Sequence, residues 1–587
     1  MKTLASLIAF STAAPAVLGA ADPRIDSWLT GHSGRYARIY TSAAAQTAGN
    51  ASSTWSNGAQ TQASPAYSGV QQVASSTDWV YLRTTGLGSH TMGPWPANFP
   101  NLPANQHVNY RLPRNPVVTA TKTLTGLGSI GYFVDGVAMF DSRDGFVWNG
   151  TAEAGNGNGH WNREAYVNEG ATFDPAYAHQ ENSGTYHYHA NPVALRYLLG
   201  DHVDFDPAKK TYSESTAPVT RHSPILGWVR DGHPVYGPYG YSTASDPASP
   251  VRRMTTGFQL RDGRRGTDDL TVPGRATLPA WAARIYKVAA SQSGPAVGTR
   301  YPLGRYMEDN AYLGDVGLKQ GTDFDLDEHN GRFGVTPEFP GGTYAYFVSI
   351  AADGTPTFPY NIGRSFYGNP VGAAVTTVTE TVVTNFVGGA DSALKIGTPS
   401  VAGGEVTLVW SAVEGGTYQI ESTPDLKAWT PKATGIAAVG DIGSKAVAGM
   451  AAPDFFRVTR TALADHDSVT NSATTGGGGP GGGGPGGGGG AGPALASVTP
   501  TSGTRGTTVT LTMTLGSNPP PAAVLPRSAA LGTIAGTGVS RSGTTVTAQF
   551  TIPAGTSPGS MTVSVVFPGP PGMGDVTFSL VDGFTVL

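Results

Sequence analysis

Short stretches in which apolar and polar residues alternate recur along the whole chain, punctuated by glycine, proline and asparagine. That period of two predicts strands rather than helices. Val406-Thr407-Leu408-Val409-Trp410 and Thr417-Tyr418-Gln419-Ile420-Glu421-Ser422 flank Gly415-Gly416, a pattern that predicts a hairpin. Gly131-Tyr132-Phe133-Val134 and Val137-Ala138-Met139-Phe140 flank Asp135-Gly136, and Gly227-Trp228-Val229 and His233-Pro234-Val235-Tyr236 flank Asp231-Gly232. Each reads as strand, Asp-Gly turn, strand. Gly184-Thr185-Tyr186-His187-Tyr188-His189 aligns in turn with Gly342-Thr343-Tyr344-Ala345-Tyr346-Phe347. The order hairpin, tyrosine strand therefore occurs twice, as expected of two halves of one duplicated unit with unequal insertions. The expected fold class is mostly β: a β-rich main region with internal duplication, followed by two immunoglobulin-like β-sandwich modules.

The longest apolar run, Leu4 to Val17 after Met1-Lys2-Thr3, reads as a secretory signal peptide over 1–21, with small residues for cleavage at Gly19-Ala20-Ala21. No other run approaches the roughly 18 residues of a membrane helix, so no integral membrane segment is expected after cleavage. The main region spans 22–390, with its core at about 120–375, and one module covers 391–465. A glycine-rich linker over 466–493 culminates in Gly476 to Pro493, whose composition predicts a flexible coil spanning about 20–25 Å. The last module covers 494–587.

Composition sharpens this. With 81 glycines and 44 prolines the chain favours turn-rich β structure. Charged residues are 13% and the formal net charge is −4, which excludes a nucleic-acid footprint and a polybasic membrane signal. Cysteine is absent, which excludes thiolate-bound zinc, iron–sulfur clusters and His-Cys copper sites. Any metal must be held by nitrogen and oxygen.

Of the 12 histidines, all but His466 fall between residues 32 and 329. Successive side chains on a strand face opposite ways, so His187 and His189 share one face and Tyr186 and Tyr188 the other. His179 lies across a turn at Asn182-Ser183-Gly184 and brings a third imidazole within reach. The second copy keeps its tyrosines but not its histidines, so the tyrosines read as core and the histidines as functional. His233 and His329 are further candidate metal ligands, and His160, His202 and His222 weaker ones. The ion expected is divalent, zinc or copper. Calcium comes into question at Asp323-Phe324-Asp325-Leu326-Asp327-Glu328, where carboxylates alternate but Glu328 stands where an EF-hand loop needs glycine, and equally weakly at Asp201-His202-Val203-Asp204-Phe205-Asp206. Tyr236, Tyr239 and Tyr241 around Gly237-Pro238 read as a rigid aromatic turn. No nucleophile elbow, phosphate loop or His-Glu-x-x-His helix occurs.

The run Tyr186-His187-Tyr188-His189 resembles the signature of the YHYH domain. His222-Ser223-Pro224-Ile225-Leu226-Gly227-Trp228, Asp231-Gly232-His233-Pro234-Val235-Tyr236-Gly237-Pro238-Tyr239-Gly240, Leu326-Asp327-Glu328-His329-Asn330-Gly331 and Phe358-Pro359-Tyr360 extend the resemblance. It implies an exported bacterial protein and no particular reaction. The cysteines that such relatives often carry are missing here, and with them any disulfide. The 391–465 segment, with Trp429 and Phe455-Phe456-Arg457-Val458, resembles fibronectin type III-like modules. The last module is similar to IPT/TIG domains in Pro500-Thr501-Ser502-Gly503-Thr504-Arg505-Gly506, Gly559 to Val563 and Gly583-Phe584-Thr585-Val586.

Three functions are open on this evidence: an exported metal-binding protein, a metal-dependent extracellular enzyme of hydrolytic or oxidative type, and a metal-free surface adhesion protein. The partner would be an extracellular or cell-surface ligand whose identity the residues do not name. Metal content separates the first two from the third.

Overall fold

A computed structural model describes residues 22–57, 60–96, 99–155, 159–448, 455–469, 495–516, 520, 524–532, 534–556, 559–568 and 576–587. The signal-peptide run and the Gly476–Pro493 stretch lie outside the described residues. The protein is mostly β, in two compact units, Met1–Pro485 and Gly486–Leu587.

The first unit is organised by an eight-stranded sheet. Its strands in chain order are β1 (Gly131–Phe133), β2 (Ala138–Met139), β3 (Ala178–Gln180), β4 (Tyr186–Tyr188), β5 (Ile225–Val229), β6 (Pro234–Tyr236), β7 (Gly331–Gly334) and β8 (Thr343–Phe347). They lie side by side as β3-β4-β2-β1-β5-β6-β8-β7. The order is a palindrome of the two halves. At the centre β1 and β5 run antiparallel, pairing Gly131 with Val229, Tyr132 with Trp228 and Phe133 with Gly227, so a pseudo-twofold axis passes through the Tyr132–Trp228 pair. Outward from it, β4 lies parallel to β2 with Tyr188 opposite Met139, and β8 lies parallel to β6 with Tyr346 opposite Val235. Both Asp-Gly turns need a left-handed residue, and Gly136 (φ 82°) and Gly232 (φ 83°) supply it. A Cβ on Gly136 would come 2.2 Å from Thr84 Oγ1, and one on Gly232 2.6 Å from the Pro113 carbonyl.

The symmetry extends to single hydrogen bonds. Asp174 Oδ1 accepts from Ala176 N and Ala178 N ahead of β3, and Asp327 Oδ1 accepts from His329 N and Gly331 N ahead of β7. Tyr177 (φ 68°) and Asn330 (φ 65°) take the same left-handed step. Tyr186 OH donates to Asp174 at 2.8 Å, and Tyr344 OH to Asp327 at 2.9 Å. The tyrosines that recur in both halves are thus core staples. They bury their rings together with Phe133, Val137, Trp228 and Val235. Strands Val70–Ser75, Trp79–Thr84 and Val108–Pro113 belong to a five-stranded sheet whose Val70, Val80, Leu82 and Leu112 enter the same core.

Residues 400–463 form two three-stranded sheets around Val406, Leu408, Trp410, Tyr418 and Ile420. The hairpin expected across Gly415-Gly416 does not form. Glu405–Ser411 pairs with Ile442–Ala448, whereas Gly416–Thr423 pairs with Thr430–Ala437 and Phe455–Leu463. The turn carries the chain from one sheet to the other, because each strand aims its alternate apolar residues at a shared interior. The corner is pinned by Glu414, whose carboxylate accepts from Tyr36 N and pairs with Arg38. The second unit has its own core, in which Leu511, Met513, Phe550, Val563, Val565 and Phe584 are buried between a four-stranded and a five-stranded sheet.

Candidate metal centre

The hairpin of β3 and β4 pairs His179 directly with His187, and His189 follows two residues on, so all three imidazoles leave the sheet on the face opposite Tyr186 and Tyr188. A short helix, α1 (Ala165–Glu169), crosses that face. Glu164 caps it, accepting from Tyr166 N at 3.0 Å and Val167 N at 2.7 Å. A 3-10 turn over Gly170–Thr172 then leads back towards β3.

Each histidine is fixed through its Nδ1. His187 Nδ1 lies 2.8 Å from the Thr185 carbonyl and His189 Nδ1 lies 2.7 Å from the Asp141 carbonyl. A carbonyl only accepts, so both Nδ1 atoms carry the proton. His179 Nδ1 lies 2.8 Å from Thr172 Oγ1, whose single hydrogen is donated to the Glu169 carbonyl at 2.6 Å. Thr172 can therefore only accept from His179, and that Nδ1 is protonated too. All three Nε2 atoms are left as bare lone pairs, the tautomer that binds metal.

Those lone pairs converge. His187 Nε2 is 3.1 Å from His189 Nε2, and one ring nitrogen from each of the three histidines lies within 4.8 Å of the other two. The side chains are almost sealed, with His179 at 6%, His187 at 2% and His189 at 4% exposure. Burial holds the imidazoles of His179 and His187 well below the usual range and lowers that of His189. They stay neutral at physiological pH. Phe140 stacks on His187 at 3.8 Å between ring centroids, Phe173 meets His179 edge-on at 4.8 Å, and Phe99 stacks on His179 at 5.8 Å. These three neighbours are aromatic.

His233 and His329 do not join the cluster. Both belong to the other half of the sheet: His233 packs edge-on to Tyr344, Tyr346 and Tyr367, and His329 Nδ1 bonds Ser365. By the twofold relation His329 occupies the position of Ala176, so it faces the tyrosine side. His160, His202 and His222 pack against Tyr286, Tyr239 and Tyr236 respectively. The places of His179, His187 and His189 are taken in the second half by Arg332, Ala345 and Phe347, with the guanidinium 5.4 Å from the Phe347 ring centroid. The alternate carboxylates at 323–327 do not converge either. Asp323 accepts from Lys319 N, Asp325 is bidentate to Arg252, and Asp327 takes Tyr344 OH.

One acidic residue that sequence reasoning passed over stands at the centre. Glu169 Oε2 lies 3.4 Å from His189 Nε2 and 3.7 Å from His179 Nε2. Ten residues before His179 on a separate helix, it belongs to no recognisable ligand spacing. Only the Glu164 cap, five residues upstream, hints at where the helix starts.

Residues 109–360 match the family described as YHYH protein, so the chain carries a YHYH domain. No curated protein matches the chain.

Proposed function

We propose that the YHYH domain binds a divalent transition-metal ion, zinc or copper, through Nε2 of His179, His187 and His189, in a protein exported from the cell. The observation that carries this reading is the convergence of three unprotonated nitrogens in a buried, largely aromatic pocket where, among the described residues, no N–H group answers them. Two bare imidazole nitrogens 3.1 Å apart repel each other, by roughly 1 kcal/mol for half-unit partial charges at an effective dielectric of about 20. Burying acceptors without donors adds further cost. A bound ion reverses the sign: structural zinc sites contribute about 10–16 kcal/mol at neutral pH, an order of magnitude more than the repulsion. Ligands about 2.0–2.1 Å from a tetrahedral ion stand roughly 3.3–3.4 Å from each other, close to the 3.1 Å between His187 and His189. A metal-free adhesion protein gains nothing from this arrangement. Zinc and copper suit imidazole donors, whereas calcium takes oxygen.

Elemental analysis of the full chain, purified without a histidine tag, is expected to find on the order of one equivalent of zinc or copper. His187→Ala and His189→Ala are each expected to abolish it. Failure of the unsubstituted protein to retain or take up either metal after chelation and refilling overturns the reading.

A further inference from the structure

The three-histidine site leaves open whether a fourth position is free for water and substrate or is closed by the protein. We infer that Glu169 is the fourth ligand, so that the centre is a closed His3Glu site that fastens α1 to the β3–β4 hairpin. This rests on the metal reading above and goes beyond it, because a closed shell is structural whereas an open one is catalytic.

Glu169 stands beside two of the three histidine nitrogens at near-ligand spacing. Glu169 Oε2 stands 3.4 Å from His189 Nε2 and 3.7 Å from His179 Nε2, against 3.1 Å between His187 and His189. These three distances are near the edges expected when nitrogen and oxygen ligands surround one ion at about 2.0–2.2 Å, and the three histidine nitrogens as a set lie within 4.8 Å of one another. The Nε2 atoms carry no proton, so neither His179 nor His189 donates a hydrogen bond to Glu169. The Glu169 carboxylate accepts no hydrogen bond among the described residues, and the nearby cation, Arg163, is engaged by Asp144 and Glu153. The Glu169 side chain is 13% exposed and lies against the Nε2 atoms of His179 and His189; burial pushes its carboxyl well above the usual range, so its ionised form is unfavourable there unless a cation joins it. Charge agrees: three neutral imidazoles and one carboxylate reduce a divalent ion to a net charge of +1, which suits a poorly solvated site.

The chain around Glu169 is built to deliver it. The Glu164 cap sets the start of α1, and Thr172 Oγ1 holds the Glu169 carbonyl while accepting from His179. One hydroxyl thus ties the backbone of the proposed fourth ligand to the ring of the first.

The test uses the full chain, stripped and reloaded with cobalt(II), whose visible absorption reports coordination. Glu169→Ala and Glu169→Gln are compared with the unsubstituted protein, and azide is added to each. The expected result is that both variants bind cobalt and zinc at least about 10–100-fold more weakly, with a shifted spectrum. Azide should perturb the spectra of the variants and leave the unsubstituted protein unchanged. Glu169→Gln keeps side-chain volume, so it carries the test should Glu169→Ala not fold. Unchanged affinity and spectrum in the variants, or an azide response in the unsubstituted protein, overturns the closed shell while leaving the histidine site standing. Absence of cobalt and zinc uptake by the unsubstituted protein instead removes the metal reading itself.

Discussion

Thr172 shows how much of the centre depends on atoms that would never touch an ion. Its hydroxyl is a donor to the Glu169 carbonyl and an acceptor for His179 Nδ1, which settles the tautomer of that ring. Thr172→Val keeps the shape and removes both bonds, so the imidazole can carry its proton on Nε2 and block the lone pair. Zinc affinity, measured by competition with a chelator, should fall about 10–100-fold, and Thr172→Ser should restore it. On the other face of the same sheet, Asp231 accepts from Tyr346 OH and Gly368 N, whereas its twofold mate Asp135 accepts from Val137 N and leaves Oδ2 without a partner. Burial pushes the Asp135 carboxyl up to about 7 from 3.8. Between those values the folded protein holds a proton that the unfolded chain has released, so stability falls as pH rises through that window. Asp135→Asn should flatten this fall, with a gain on the order of 1–3 kcal/mol at pH 8, read by denaturant unfolding of the metal-free protein.

At the scale of elements, parity was the legible signal. The alternation of Tyr186 to His189, with His179 across a short turn, was enough to place three imidazoles on one face of a hairpin. Comparison with Tyr344-Ala345-Tyr346-Phe347 was enough to assign the tyrosines to the core. What escaped was whatever depends on where a strand goes after it turns. The runs around Gly415-Gly416 have the alternation of a hairpin, yet alternation says only that one face is buried, and two facing sheets satisfy it as well as one. Glu169 escaped for a related reason. It reaches the histidines through the angle at which α1 leaves its cap, a property of tertiary packing around Tyr166, Phe173 and Tyr360. His233 and His329, which sit in the motifs that extend the family resemblance, lie in the other half of the sheet and outside the cluster.

Across the whole molecule, residues 391–469 are joined closely to the stretch at 36–67 that precedes the YHYH match. Tyr36, Tyr67 and Val413 share a small core, Tyr67 OH donates to the Glu414 carbonyl, Ala66 bridges Asp467, and Gln62 donates to the Asp467 carboxylate. The unit that follows has a core of its own. Deleting residues 495–587 is therefore expected to leave metal uptake and the melting temperature of the remainder unchanged, whereas deletion from 391 onward should lower that melting temperature by uncovering Tyr36 and Tyr67. Calorimetry of the two truncations checks both.

A single strand forms the wall between the metal face and the hydrophobic core. Moving His187 or His189 by even half an ångström drags Tyr186 and Tyr188 through packed side chains and strains the Tyr186–Asp174 bond. The centre is thus a gauge rather than a hand. With a metal bound as proposed, it would discriminate among ions by refusing to adjust, admitting small ones that fit its nitrogen spacing and rejecting large ones that would require it to widen.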